Sequence, residues 1–290
     1  MDYNIIETSK CCIVIPIYKN DLTEYEIISL KQCCKILVNY PVLFITHRDL
    51  DCSVYENICK NTGIVYKYEI FNKKYFKDIS WYNVLLLSKY FYQRFIDFDY
   101  ILIYQLDAFV FKNELDYWLK KGYDYIGAPW MGLNKIKPQF IGPPTVGNGG
   151  FSLRRIKKFS TSTNLRTNML KIINIIQSLY NIILENSKRN KFYYFPKLFL
   201  NPVLKILKFI FCNYDKNAIN EDEVWAGILY NNGYIPSAEE AIKFSFENYP
   251  EYLYEINNRE LPFGCHDWFK YYNYQFYKNF ISEENNITNE

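Results

Sequence analysis

The sequence predicts an α/β protein: a mostly parallel, doubly wound central sheet flanked by helices, interrupted by a basic helical insertion. Three observations predict it. Short β-branched and aromatic runs alternate with longer stretches of helical spacing over the first hundred residues. The runs over 11–17, 42–46 and 100–104 are almost wholly apolar, as strands covered on both faces must be. One of them, Tyr100 to Val110 (YILIYQLDAFV), ends in Gln105 and Asp107, at the carboxyl end of a strand where open α/β sheets bind ligands. A carboxylate there is costly to desolvate unless a cation or donors meet it, which marks Asp107 for work; a turn or helix-capping aspartate is the plainer alternative.

Cys11 to Ile17 (CCIVIPI), closed by Tyr18-Lys19-Asn20, predicts the first strand. Tyr25, Ile28, Leu30, Cys33, Cys34 and Leu37 recur at helical spacing and predict a helix over 21–37. Val42 to Thr46 and Ile64 to Ile70 predict the second and third strands, the second ending at His47. One strongly apolar helix over 79–98 should lead straight into the strand at Tyr100. Beyond Asp107 come a short helix over 115–121 stopped by Gly122, a strand from Tyr123 running into a loop by Trp130, and a loop over 135–144. Val146 to Arg155 (VGNGGFSLRR) joins three glycines to a short strand. Glycines there permit close approach of the backbone to another group, and a hairpin turn at Asn148-Gly149 fits equally well. In Asn220 to Trp225 (NEDEVW) three acids open a helix. Acids favour a first helical turn, so capping competes with a carboxylate base. A turn and short strand over 231–235 follow, then LPFGCHDWF (261–269) with the second histidine. One domain is expected over 1–281, ending in a polar tail over 282–290.

Composition narrows the function. The 290 residues can bury a large core, and a net charge of +3 does not point to nucleic acid. That charge is unevenly spread. Residues 154–216 carry 13 basic and 2 acidic side chains with apolar residues interleaved, which predicts a helical insertion over about 156–216. Such a segment either docks on an anionic membrane surface or packs its apolar face on the domain with its lysines in water; an oligomerisation element is a third reading. The start of the chain lacks the pattern of a signal peptide, and no stretch reaches the ~20 apolar residues of a bilayer span, so a cytoplasmic protein is expected. The eight cysteines include no C-x-x-C pair and only two histidines accompany them, so they are expected to be free thiols, most of them in the core. Neither a P-loop nor G-x-G-x-x-G is present. His266 together with a strand-end aspartate could complete a divalent metal site whose other ligands are phosphate oxygens.

The ordered set YQLDAFVF, YDYIGAPW, VGNGGFSLR, NEDEVW and FGCHDWF resembles a family of bacterial glycosyltransferase-like proteins, long catalogued only as a domain of unknown function and similar to nucleotide-sugar transferases of the GT-A fold. The resemblance runs from about Ile13 to Trp268, apart from the insertion, and implies a Rossmann-type GT-A-like domain. It implies that the first strand and its loop, Pro16 and Tyr18 included, hold the donor nucleotide. Gln105-Leu106-Asp107 takes the place of a D-x-D motif, with Asp107 ligating Mn2+ or Mg2+ and His266 joining it. Because the first acid of that motif is Gln105, one carboxylate is missing. Asn148, Gly149 and Gly150 would border the donor sugar or acceptor, and Glu221 or Asp222, with Asp222 preferred, would be the base. The implied reaction moves a hexose or N-acetylhexosamine from a UDP-sugar to a glycan or lipid-linked glycan. Such a precursor would serve capsule, lipooligosaccharide or O-antigen, at the cytoplasmic face of the inner membrane if the insertion docks there. A catalytically inactive nucleotide-sugar-binding or membrane-associated scaffold protein is the competing reading.

Overall fold

A computed structural model describes residues 9–134, 137–162 and 220–286, with isolated positions at 168, 172, 175 and 176. The basic insertion expected over 156–216 therefore lies outside the described residues from 163 on, apart from those four, and so does Cys212.

Strands β1 (Cys11–Pro16), β2 (Val42–Thr46), β3 (Tyr66–Ile70) and β4 (Tyr100–Tyr104) run parallel. Two more complete a six-stranded sheet in the order β3-β2-β1-β4-β9-β6, with β6 at Tyr125–Ile126 and β9 at Phe151–Arg155, β9 antiparallel to both its neighbours. The mostly parallel sheet is as expected. The register alternates β1 between two cores. Cys11, Ile13 and Ile15 pack with Leu30 and Cys33 of α1 (Glu24–Ile36), with Leu37 that caps it, and with Tyr55 and Cys59 of α2 (Ser53–Thr62). Cys12 and Val14 face the opposite layer of Leu85, Phe91, Phe95, Trp225 and Leu229. Burial on both faces is why this strand reads as an unbroken apolar run. The described cysteines are free, and all but Cys52 are buried.

Four local expectations change. The single helix over 79–98 is two, α3 (Ile79–Leu86) and α4 (Lys89–Gln93). Ser88 divides them: its Oγ donates to the carbonyl of Leu85 and accepts from the amide of Phe91, ending one helix and capping the next. Within the stretch expected as a loop over 135–144, Lys137–Phe140 form a strand, β8, paired antiparallel with β7 (Met131–Asn134). Asn148-Gly149 is not a hairpin turn, because β9 after it pairs with β4 and β6 while Val146 before it bridges to Pro129. Residues 233–237 are extended without being a strand: the Tyr234 amide donates to the Asp124 carboxylate and its carbonyl accepts from the Asp124 amide.

A second, small sheet positions the site. β5 (Phe109–Val110) follows Asp107 directly and pairs antiparallel with β11 (Gly264–Cys265), which pairs parallel with β10 (Ser245–Phe246). Between β4 and the β9 end of the sheet lie α5 (Leu115–Lys121) and, after β9, α6 (Ile156–Thr161). Then come α7 (Glu221–Asn232), α8 (Ala238–Phe244), α9 (Pro250–Ile256) and α10 (Tyr271–Asn286), the last carrying the chain's helix into the stretch expected as a polar tail. No described helix is long and apolar enough to cross a membrane.

Candidate functional site

A cavity of about 550 Å³ opens at the carboxyl ends of β1 and β4. Its walls include Pro16 to Lys19 at the end of β1, residues 75–78 before α3 with Ile79 and Tyr82 on it, Gln105 to Asp107 after β4, and Phe269 with Lys270. Tyr18 stands at the rim, 60% exposed. Lys19 is fixed there by Glu26, 2.8 Å away, the same carboxylate that completes the capping box of α1 with Thr23. Tyr18, Tyr75, Phe76 and Phe269 give the walls flat aromatic faces, and Lys19, Lys77 and Lys270 share them with Glu26, Asp78 and Asp107. A ligand with a planar ring fits the aromatic faces.

Beside the cavity wall at Asp107, the β5–β11 pairing sets the segment after Cys265 against the segment before Phe109. The amide of Trp268 donates to the Asp107 carbonyl at 3.1 Å, so His266 and Asp267 come to lie on Asp107. His266 Nε2 faces Asp107 Oδ1 at 3.2 Å, Gln105 Oε1 at 3.2 Å and Asp267 Oδ1 at 3.5 Å. Its Nδ1 faces Glu247 Oε1 at 3.2 Å, and Glu247 in turn accepts from Asn148 Nδ2 at 2.6 Å. One imidazole nitrogen thus points at three oxygens and the other is held by a buried carboxylate, the arrangement that orients a metal-binding histidine. Candidate ligand atoms of Asp107, His266 and Asp267 all lie within 4.8 Å of one another. Two carboxylates and an imidazole suit a divalent cation such as Mn2+ or Mg2+, with phosphate oxygens completing the shell.

The charges interlock. Burial works against the charge of Asp107, yet His266 and Lys270 hold its carboxyl well below the usual range. Burial likewise disfavours a charged His266, but Asp107, Glu247 and Asp267 push its pKa well above the usual value. Asp267 is raised by withdrawal from solvent and, against the pull of His266, by the charge of Asp107.

The glycine-rich segment is the bridge to the start of α7. A Cβ on Gly150 would come within 2.0 Å of His266 Nε2, and one on Gly149 within 2.8 Å of Glu221 Oε1 and 3.0 Å of Asp222 Cβ. Only glycines allow β9 to begin wedged between the histidine and the acids. Asn148 ties this bridge down, its Oδ1 accepting from the Gly150 amide at 3.2 Å. Asp222 accepts from the amides of Gly149 (3.0 Å) and Glu223 (2.8 Å). Desolvation, together with the charges of Glu221 and Glu223, raises its pKa to about 7.

The structure gathers Asp107, His266, Gln105, Asn148, Gly149, Gly150 and Asp222 into one neighbourhood, with Pro16 and Tyr18 on the cavity wall. Glu221 differs. It receives Arg154 through both oxygens, at 2.7 and 2.8 Å, where Arg154 is 0% and Glu221 5% exposed. Its carboxylate is engaged in a buried ion pair, whereas that of Asp222 is not. Reading the sequence missed Asp267, Glu247 and Lys270. Asp267 and Lys270 stand within four residues of His266, and the carboxylate lacking from Gln105-Leu106-Asp107 was a reason to look there. Glu247 carried no sequence signal.

The profile of a family described as "Protein of unknown function (DUF5672)" matches residues 65–266, well over half of the chain. No curated protein matches the chain. Solved structures resemble it. Mouse xyloside xylosyltransferase 1, in its apo form, is 8% identical with a TM-score of 0.51, covering 88% of this chain and 96% of that one. The apo glycosyltransferase GlyE of Streptococcus pneumoniae is 11% identical (TM-score 0.44), covering 90% and 54%. Core-mannan synthase A of Aspergillus fumigatus, in a Mn/GDP form, is 10% identical (TM-score 0.43), covering 57% and 65%. The chain spans less than two thirds of the length of the latter two. The fold is GT-A-like.

Proposed function

The chain belongs to the DUF5672 family, and from that premise we propose that it is a nucleotide-sugar-dependent glycosyltransferase. The observation that carries the proposal is the Asp107–His266–Asp267 group, whose Asp107 lines an aromatic, lysine-bearing cavity. The aromatic walls suit the base and ribose of the donor, and the surroundings of Asp107 suit its diphosphate. The donor is a UDP-hexose or UDP-N-acetylhexosamine. The acceptor is a hydroxyl of a glycan or lipid-linked glycan, a precursor of capsule, lipooligosaccharide or O-antigen. Peripheral contact with the cytoplasmic face of an inner membrane through 156–216 belongs to the same reading.

Transfer develops negative charge on the leaving diphosphate and positive charge on the sugar. Asp107, His266 and Asp267 would hold a divalent ion, which supplies charge neutralisation to the diphosphate when bound. Glu247, braced by Asn148, keeps His266 turned toward Asp107. Asp222 takes the proton of the attacking hydroxyl. In a single displacement this base gives inversion at the anomeric carbon, and a product of retained configuration would remove Asp222 from that role.

A thermal-shift screen of nucleoside diphosphates and nucleotide sugars, with and without Mn2+, tests the assignment. A ligand at ~100 times its dissociation constant stabilises by ~2.7 kcal/mol. The expected result is a Mn2+-dependent upshift with one nucleotide class, followed by release of nucleoside diphosphate on adding acceptor glycans. No shift with any nucleotide would overturn the proposal. Binding without release would favour the nucleotide-sugar-binding protein.

Asp222 gives a second test. A base must be deprotonated, so kcat/KM is expected to rise with pH through about 7 and level off above it. Because folding raises this pKa, the proton helps to stabilise the folded state below about 7 and that contribution is lost as pH rises through it, so the increase in rate cannot come from a firmer fold. Asp222→Asn should abolish the rise and lower kcat by roughly 10²–10⁴-fold. An unchanged pH profile in the variant would exclude Asp222 as the base.

A further inference from the structure

Lys270 occupies a position that the transferase reading leaves unexplained. Its Nζ lies 3.0 Å from Asp107 Oδ2 and forms a still shorter contact to Asp267 Oδ1. Asp107 therefore meets a nitrogen group on each oxygen, the His266 imidazole on Oδ1 and the Lys270 ammonium on Oδ2. The ammonium thus sits on the same two carboxylates that a divalent ion would require. A monovalent and a divalent cation cannot share those oxygens without strong repulsion. The lysine is also free to leave. Its side chain is 50% exposed and lines the cavity, while turns fix only its backbone, the amide donating to the Asp267 carbonyl at 3.1 Å and the carbonyl accepting from the Asn273 amide at 3.0 Å. A swing of the four-carbon stem carries the charge from the carboxylates into the cavity, where the proposed donor presents a diphosphate.

We propose that Lys270 is a resident counter-ion of the centre: it holds Asp107 and Asp267 in register while the cavity is empty, and the donor diphosphate draws it off, freeing both carboxylates for the divalent ion. Nucleotide and metal then bind cooperatively. By linkage each must raise the affinity for the other by the same factor. The lysine is not lost on the exchange, because it turns from neutralising two carboxylates to neutralising the diphosphate. Asp267 becomes a ligand in place of the acid missing at Gln105. This inference rests on the transferase reading.

The test is binding of Mn2+ to the full chain, read from loss of the free-ion electron paramagnetic resonance signal, alone and with saturating UDP or GDP. Wild type, Lys270→Met and Lys270→Arg are compared, with thermal unfolding as a check on folding. Lys270→Met keeps the stem and removes the charge. It is expected to bind Mn2+ alone about tenfold more tightly than wild type, an ordinary size for such a coupling, and to lose most of the tightening that nucleotide confers on wild type. Lys270→Arg should behave as wild type. Equal or weaker Mn2+ binding by Lys270→Met would overturn the inference. So would a wild type that binds nucleotide and Mn2+ independently, and in both cases the transferase reading would stand. A wild type that binds neither would overturn both.

Discussion

Asp107→Asn is expected to lower transfer by about 10²–10³-fold in kcat, the scale of losing one preorganised electrostatic contact at a developing charge. The change is isosteric. It removes no packing, but it takes from His266 and Lys270 one of the two carboxylates that both face. Donor binding should lose its dependence on Mn2+, because two of the three candidate ligand groups, an imidazole and one carboxylate, make a weaker site. The measurement is initial-rate release of nucleoside diphosphate, beside a thermal-shift titration with and without Mn2+. A variant within a few-fold of wild type in kcat would show that the centre does not serve the reaction.

The largest expected effect on stability lies a few ångströms away. Arg154 and Glu221 form a two-pronged ion pair sealed from water. The arginine also donates to the Tyr92 hydroxyl at 3.1 Å and stacks near Tyr125 and Phe159, 5.3 and 5.6 Å from their ring centres. Removing one partner strands a buried charge, at a cost of about 3–5 kcal/mol. Arg154→Met or Glu221→Gln should therefore lower the unfolding midpoint by roughly 6–15 °C. The double variant Arg154→Met with Glu221→Leu should regain most of that loss, since a well-packed apolar pair can replace a buried ion pair without penalty. Glu221→Gln measured well below its midpoint should retain far more activity than Asp222→Asn. If it were instead as inactive as Asp222→Asn while melting at the wild-type temperature, Glu221 would belong to the chemistry.

The neighbouring acids of NEDEVW show where the sequence stops being legible. Both start the same helix, and composition treats them alike. What separates them is a residue 67 positions before Glu221, Arg154, which claims one carboxylate and leaves the other against the Gly149 amide. Strands β1, β2 and β4 were readable because burial on both faces makes them wholly apolar. The break at Ser88 was not, because an apolar stretch continues through it and only a hydroxyl reveals the division. Asp107 could be picked out as polar at the end of a buried strand, and His266 by its loop and its rarity. Glu247 could not: its role depends on the β10–β11–β5 pairing, which brings it against His266 and Asn148, and each of those strands is only two residues long.

Partners at the centre are far apart along the chain: 161 residues separate Gln105 from His266, and 99 separate Asn148 from Glu247. The basic stretch over 156–216 falls inside both spans. Closing a loop costs entropy that grows only with the logarithm of its length, about 0.6 kcal/mol for each doubling. A chain already committed to excursions this long gains or loses little by carrying some sixty residues more or fewer within them. The stretch after Thr161 can therefore differ in length or composition with little entropic penalty to the meeting of Asp107 and His266. This makes it the part of the polypeptide where a new acceptor or a new docking partner could be accommodated without disturbing the chemistry.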